Sequence, residues 1–138
     1  MSSRVVIEQP PRPPIHRSIP ARAAVFLALL LGRRSPQTIE KTLTYLRRGA
    51  RAATYEQARS AHNDVTATSV LCAGEGCLPR SLAIVLLCRF RNTWPTWHIG
   101  IRTGPFESHA WVEAEGQMVN EPHSDDYYRP IMTVAHPV

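Results

Sequence analysis

Cys77 and His109 have the residue types and the local sequence of a nucleophile and its general base. A cysteine attacks as its thiolate, which is favoured when the sulfur lies at a helix N-terminus with an imidazole nearby. Gly74 and Gly76 precede Cys77 and permit a tight turn into a helix. The first free N–H groups of such a helix are also suited to bind an oxyanion. This segment therefore predicts a thiol nucleophile at the start of a helix.

The general base of such a site needs a rigid position and a third group that orients its ring. His109 begins a β-like run, and a tight turn at Glu115-Gly116 would place Glu121 on the neighbouring strand, roughly opposite the histidine. Glu121 is therefore the leading candidate for the third group. The other candidate carboxylates are Glu113, Asp125 and Asp126. Spacing alone also fits a buried core cysteine and a structural histidine.

The elements that must position these residues begin with a series of helices. Ser35-Pro36 offers an N-cap followed by proline at the first helical position, and Thr54 and Gln57 have the spacing of a capping box. The predicted helices run from Ala21 to Arg34, from Pro36 to near Gly49, from Thr54 towards Leu71, and from Cys77 to about residue 91. The buried face of the last helix is marked by Leu78, Leu82, Val85 and Leu86.

The two ends of the chain have a different character. Residues 1–20 contain five prolines, which predict a Pro-rich extended arm. Beyond the helices, short strands are predicted at 97–102, 109–115 and 117–121, followed by an irregular tail at 122–138. An N-terminal helical bundle followed by a short antiparallel sheet is an α+β fold, and residues 21–138 are expected to form a single domain.

Charge is divided unequally along the chain. Residues 1–51 carry ten Lys/Arg and two Glu, whereas residues 52–138 carry six Arg and nine acidic residues. A basic half attracts an acidic peptide or an acidic protein surface, although a merely solvated basic face has the same composition. The basic half has no recognisable nucleic-acid-reading motif, so nucleic acid is not expected as a partner.

Cysteine content and hydrophobicity bear on the compartment. Three cysteines without a secretory signal do not suggest a disulfide framework, so a reducing, cytoplasmic setting is expected. The most apolar stretch, Ala23 to Leu31, is too short to cross a bilayer, so no stable membrane insertion is expected. The spacings of cysteine and histidine match no zinc motif, and neither a metal nor another cofactor is predicted.

Two linked motifs resemble a known family. The run Cys-Leu-Pro-Arg-Ser-Leu-Ala begins at Cys77, and the run His-Ala-Trp-Val-Glu begins 32 residues later, at His109. In this order they resemble the B2 proteins of lasso-peptide biosynthesis, a family of transglutaminase-like cysteine peptidases with a papain-like core, over about residues 35–121. The resemblance implies Cys77 as the nucleophile and His109 as its histidine. The family usually has an aspartate twelve positions after the histidine, where this chain has Glu121.

The resemblance also implies a function and partners. Such proteins remove the leader peptide from a ribosomally synthesised precursor, and an ATP-dependent macrolactam cyclase receives the new core N-terminus. The leader is held by B1, a leader-recognition protein that is either fused upstream or separate. No strand-rich module precedes the helices here, so a separate B1 partner is expected. The basic helical half and the arm are candidate docking surfaces for leader, B1 or both, and the cleft is expected to read a threonine near the leader's C-terminus.

Three further residues have open roles. Arg80 and Ser81 lie in the first motif and are expected either to line the substrate cleft or to support the catalytic loop beneath it. Trp111 shares a strand face with His109, where it would shield the pair from water or simply pack in the core. Two other functions fit the sequence: a non-catalytic scaffold that presents the precursor to the cyclase, and transglutaminase-type acyl transfer to an amine.

Overall fold

The computed structural model describes residues 11, 13–69, 72, 76–121 and 127–136 of the chain. Within these ranges the helices are α1 (Ile15–Leu31), α2 (Pro36–Leu46), α3 (Tyr55–Thr68) and α4 (Cys77–Phe90). The strands are β1 (Arg51–Ala52), β2 (Thr93–Trp94), β3 (Thr96–Arg102), β4 (Glu107–Ala114), β5 (Gln117–Met118) and β6 (Arg129–Val134). An antiparallel sheet has the order β5-β4-β3-β6, and β1 and β2 form a short parallel pair. The α+β fold predicted from the sequence is confirmed.

The N-termini of α2 and α3 are capped as the sequence predicts. The Ser35 hydroxyl accepts a hydrogen bond from the Thr38 amide at 3.2 Å, with Pro36 at the first helical position. At α3 the capping box is complete, because Thr54 Oγ1 accepts from the Gln57 amide and Gln57 Oε1 accepts from the Thr54 amide. Both helices end about one turn before their predicted limits.

The prediction of an extended arm over residues 1–20 is wrong for the C-terminal part of that segment. Helix α1 begins at Ile15 rather than at Ala21, with Pro14 at its N-cap and Pro20 inside it. A proline at this position removes one intrahelical hydrogen bond, a cost that the packing of the helix offsets. The earlier part of the arm, residues 1–10 and 12, lies outside the described residues.

A buried carboxylate fixes the start of α1. The side chain of Asp64, on α3, is only 3% exposed and accepts hydrogen bonds from Arg17 at 2.7 and 3.2 Å and from Arg91 at 2.6 Å. Two guanidinium groups compensate for the burial of one carboxylate, which would be costly if it were unpaired. These ion pairs join α1, α3 and the end of α4, and they give Arg17 a partner inside the domain.

Helix α4 is the central element of the fold. The sequence pattern predicts a single buried face, but every residue from Arg80 to Cys88 is buried. The difference arises because α1, α3 and the sheet all pack against this helix. Three fully buried alanines on α1, Ala21, Ala24 and Ala28, permit a close helix–helix approach. None of the helices in the described ranges is long and apolar enough to span a membrane.

The tight turn predicted at Glu115-Gly116 is confirmed, with φ of +53° and +76° at its two residues. The strand that follows is shorter than predicted. β5 ends at Met118, and the chain then bends at Val119 and Asn120 instead of continuing as a strand to position 121. The Val119 amide still donates to the β4 backbone at 3.0 Å, so the bend remains attached to the sheet.

The tail predicted to be irregular contains β6, which pairs antiparallel with β3. Most residues of β6 are exposed, and it includes Pro130, so the segment has no alternating apolar pattern that would predict a strand. A proline is tolerated there because edge strands have one side without ladder hydrogen bonds. Residues 122–126, 137 and 138 of the predicted tail lie outside the described residues.

Gly100 on β3 leaves space for a tryptophan ring. It pairs with His109 across the sheet, and a Cβ atom added to it would lie 2.5 and 2.6 Å from ring carbons of Trp111 and 2.9 Å from the Arg129 carbonyl oxygen. These distances are shorter than van der Waals contact, so any side chain at this position would displace its neighbours. The Trp111 ring can therefore pack on the face of the sheet that carries His109 only if residue 100 is a glycine.

We expect Gly100→Ala to lower the free energy of unfolding by about 1–3 kcal/mol, because the added methyl group overpacks the Trp111 ring. Urea unfolding followed by circular dichroism would measure the change. Gly32→Ala is the matched control, since Gly32 has a helical φ of −63° and its nearest contact would be 3.1 Å. Equal stability of Gly100→Ala and the unaltered protein would contradict the close packing.

Candidate active site

Cys77 is the first residue of α4. The helix starts with a hydrogen bond of 2.8 Å from the Arg80 amide to the Gly76 carbonyl. Pro79 has no N–H group, so the amides of this first turn that lack an intrahelical acceptor are those of Cys77 and Leu78. These two amides, at the positive end of the helix dipole, are the oxyanion donors that α4 can offer.

His109 lies beside the thiol. Its ring and the Cys77 sulfur are hydrogen-bond partners, and the backbone amide of Ala110 interacts with the same sulfur. On the other side of the ring, Nε2 is 2.9 Å from Glu121 Oε1. Since the carboxylate engages Nε2, Nδ1 is the ring nitrogen left for the thiol. The structure thus brings together the three residues that the sequence proposed as a catalytic set.

The electrostatics of the site favour a thiolate–imidazolium pair. Burial alone would raise the pKa of the thiol, but hydrogen bonds from His109 and Ala110, with the charges of His109 and Arg80, hold the pKa of Cys77 below its ordinary value. Burial would lower the pKa of the histidine, but hydrogen bonds to Cys77 and Glu121, and their negative charges, raise the pKa of His109 to about 9. Both shifts stabilise the charged pair at neutral pH.

Glu121 reaches the histidine from the bend after β5, not from the far end of a strand. Its side chain is 5% exposed, so its interaction with the imidazole is screened little by solvent. The alternative carboxylate Glu113 is engaged elsewhere, with Oε2 at 3.1 Å from His98 Nε2. The other two alternatives, Asp125 and Asp126, lie outside the described residues.

Two aromatic rings, Trp111 and Tyr128, contact the histidine and each other. Trp111 is stacked on His109 with centroids 5.9 Å apart, and Tyr128 is stacked on it at 4.9 Å. The sequence placed Trp111 on this face but missed Tyr128, which lies in the tail that was expected to be irregular. The Tyr128 hydroxyl donates to Glu107 at 3.1 Å, which fixes its ring beside the imidazole. No sequence signal marks Tyr128, since its contact with the histidine depends on β6 joining the sheet.

Arg80 and Ser81 are both buried beneath the site. Arg80 donates to the Cys72 carbonyl at 3.1 Å. The Ser81 hydroxyl donates to the Leu78 carbonyl and accepts from Trp97 Nε1, both at 3.0 Å. These contacts match the supporting alternative considered from the sequence more closely than the substrate-contact alternative. Arg80 also places a positive charge close enough to lower the pKa of the Cys77 thiol.

The other two cysteines have a different chemistry. Cys72 and Cys88 are buried free thiols. Burial is the main cause that raises the pKa of each, in the case of Cys88 to about 12. Neither is therefore suited to act as a thiolate. Among the described residues, no group of three histidine, cysteine or acidic side chains has the arrangement to hold a metal ion.

Comparisons with known proteins identify the family of the chain. Residues 21–133 match the family described as the Transglutaminase-like superfamily. A segment of 45 residues is 44% identical to the Microcin J25-processing protein McjB of Escherichia coli, and it covers 33% of this chain and 22% of that protein. The match therefore spans less than a quarter of that relative's length. Together these findings confirm the resemblance to B2 proteins indicated by the two motifs. No solved structure matches the chain.

We expect Cys77 to be alkylated at least about tenfold faster than Cys72 and Cys88 in the native protein, because its lowered pKa supplies the reactive thiolate. Treatment with iodoacetamide at about pH 6.5, followed by peptide mass spectrometry, would give the three rates. In urea the three thiols should react at similar rates, which provides the control. Equal labelling in the native state would contradict the proposed ion pair.

Proposed function

This chain belongs to the transglutaminase-like superfamily, and we propose that it is a cysteine peptidase that removes the leader peptide from a ribosomally synthesised lasso-peptide precursor. The observation that carries the proposal is the hydrogen-bonded series Cys77–His109–Glu121, which begins at a helix N-terminus. The B2-like motifs and the similarity to a microcin-processing protein support a peptide precursor as the substrate class.

In the proposed mechanism the Cys77 thiolate attacks the scissile carbonyl carbon at the leader–core junction. The resulting oxyanion is held by the N–H groups at the start of α4. His109 gives its proton to the leaving amine, which becomes the new N-terminus of the core, and a thioester links the leader to the sulfur. Water then attacks the thioester while His109 accepts its proton, which releases the leader acid and restores the thiolate–imidazolium pair. Glu121 orients the imidazole and stabilises its positive charge throughout.

The partners follow from the same proposal. The substrate is the precursor, B1 holds its leader as a separate protein, and the freed core passes to the ATP-dependent cyclase. Acyl transfer to an amine would use the same thioester, but with an amine in place of water. A scaffold would need no thiolate at all. The identity of the acyl acceptor and the need for Cys77 therefore separate the three functions.

Precursor incubated with B1 and the unaltered chain should be cut into leader and core, with a free carboxylate on the leader detected by mass spectrometry. Cys77→Ala should abolish this, because it removes the nucleophile, and Glu121→Gln should lower kcat about 10²-fold or more through a misoriented imidazole. Cys88→Ala is the matched control and should retain activity. Cleavage by Cys77→Ala would refute the peptidase assignment, and a leader bearing a new amide would indicate acyl transfer.

An apolar groove with a basic rim offers a surface for the leader. The groove has a volume of about 750 Å³ and lies between α1, α2 and α4. Its lining consists of Leu27, Leu30, Leu31, Arg33, Arg34, Thr38, Thr42, Leu46 and Leu86. Leu27 and Leu30 are over 40% exposed although they are large and apolar. An occupant that matches this surface has apolar side chains in the groove and carboxylates opposite the two arginines.

The position of the groove relative to the nucleophile favours the leader as its occupant. Gly32, at the end of α1, is close to the side chain of Leu78, the residue after Cys77, since a Cβ atom added to Gly32 would lie 3.9 Å from it. Leu86 is nine residues beyond the nucleophile on α4, about 14 Å along the helix axis. About four to five extended residues span that distance. If the leader binds in the groove, the peptide bond that lies only a few residues from the bound segment can therefore reach the Cys77 thiol.

The arginines of the basic half, a candidate docking surface, differ in their contacts within the fold. Arg47 donates to the Ala135 carbonyl at 2.7 Å and so connects α2 to the end of β6, which gives it a structural role. Arg48 stacks on Tyr45, with its guanidinium carbon 5.1 Å from the ring centroid. Arg33 and Arg34 are exposed at the groove and are the better residues to test.

We expect the double substitution Arg33→Glu/Arg34→Glu to raise KM for full-length precursor about tenfold or more at low salt, because it places two negative charges opposite an acidic leader. The kcat value, and cleavage of a short peptide that spans only the junction, should change little. Arg51→Glu/Arg59→Glu, at exposed positions outside the groove, is the charge-matched control. Equal KM values for the two double variants would show that the groove does not hold the leader.

A further inference from the structure

Two buried polar atoms near the site lack a hydrogen-bond partner among the described residues: His62 Nε2 on α3 and Glu121 Oε2. Unpaired buried polar atoms are rare, because each loses its bonds to water without replacement. The other carboxylate oxygen, Oε1, is bonded to His109. The unpaired oxygen therefore belongs to the group that orients the proposed general base.

The protonation state of His62 follows from its neighbours. Asn120 Nδ2 lies 3.1 Å from His62 Nδ1 and 3.4 Å from Asn63 Oδ1, and an amide nitrogen can only donate. In this contact Nδ1 accepts. Burial, followed by the charge of Arg80, lowers the pKa of His62 to about 4, so the ring is neutral and its one proton is on Nε2. The unpaired nitrogen is thus a hydrogen-bond donor, and the unpaired oxygen is an acceptor.

Contacts of two consecutive residues bring His62 and Glu121 into the same region of the site. Asn120, which binds the ring of His62, directly precedes Glu121 in the sequence. His62 is 3% exposed, and the negative charge of Glu121 acts on its ring. Asn120 has a φ of +51°, a left-handed conformation that turns the chain so that two consecutive side chains face α3 and β4. Asparagine tolerates this conformation better than most residues.

We infer that His62 is a positioning residue whose Nε2–H anchors the second oxygen of Glu121 through one enclosed water molecule, and thereby holds the carboxylate against His109. A water that bridges a buried donor and acceptor satisfies both atoms. A glutamate side chain has one more rotatable bond than an aspartate, so a single contact with His109 leaves it loosely oriented. The second anchor removes that freedom. The inference deepens the proposed function, on which its relevance to catalysis rests.

The test measures the pKa of His109 by NMR titration of its ring, and it needs no substrate. His62→Phe keeps a ring of similar size but removes the donor, so Glu121 should move away and the pKa of His109 should fall by about one unit. The groups that face His109, namely Cys77, Glu121 and Tyr128, are unaltered in this variant. His62→Gln keeps an N–H near the position of Nε2 and should preserve most of the pKa.

A double-mutant cycle separates positioning from a general loss of packing. In a Glu121→Gln background, His62→Phe should change the pKa of His109 no further, because the charge it positions is already absent. Ring nitrogen shifts of His62 in the unaltered protein provide a measurement that requires no variant, and they should report the Nε2–H tautomer. An unchanged pKa of His109 in folded His62→Phe, or the Nδ1–H tautomer of His62, would overturn the inference. Precursor cleavage is scored separately, so a failed peptidase proposal leaves this result readable.

Discussion

The charges of the Cys77–His109 pair lie in a largely buried setting, where an ion pair is stable only if each member has further partners. The thiolate has the Ala110 amide and the N-terminus of α4. The imidazolium has Glu121 on its other nitrogen. These partners come from a helix, a strand and a bend after the next strand. The fold is therefore constrained to bring the ends of three separate elements to one point, and much of its packing serves that constraint.

The central position of α4 meets this constraint. A helix that is buried around its circumference cannot shift along its axis without disturbing α1, α3 and the sheet together. The position of Cys77, the first residue of this helix, is thereby fixed relative to the sheet. The three buried alanines on α1 permit a close approach to α4, and the ion pairs of Asp64 fix α1 and α3 relative to the end of α4. Packing far from the thiol thus determines where the thiol lies.

Sequence patterns predicted the parts of the structure that depend on local chemistry. Caps at Ser35 and Thr54, the turn at Glu115-Gly116 and the helical start at Cys77 each follow from residues within a few positions of one another. The two linked motifs identified the family, and with it the grouping of Cys77, His109 and Glu121.

The features that the sequence patterns missed depend on contacts between residues far apart in the chain. An exposed edge strand such as β6 has no apolar alternation, and a helix that contains Pro20 contradicts local propensity until Asp64 is in place. For the same reason, neither Tyr128 nor His62 stands out in the sequence, because each acquires its importance only beside residues far along the chain.

The pairing of β6 with β3 has a consequence for the order in which the site is assembled during synthesis. Cys77, His109 and Glu121 all leave the ribosome before Tyr128 and the strand that follows it. Until β6 pairs, β3 remains an unprotected edge and the imidazole has no tyrosine ring over it. A nascent chain can thus contain every proposed reactive group while its site is still incomplete on one side. That side closes only when β6, the last strand to be synthesised, pairs with β3. The site is therefore complete only once the sheet is complete.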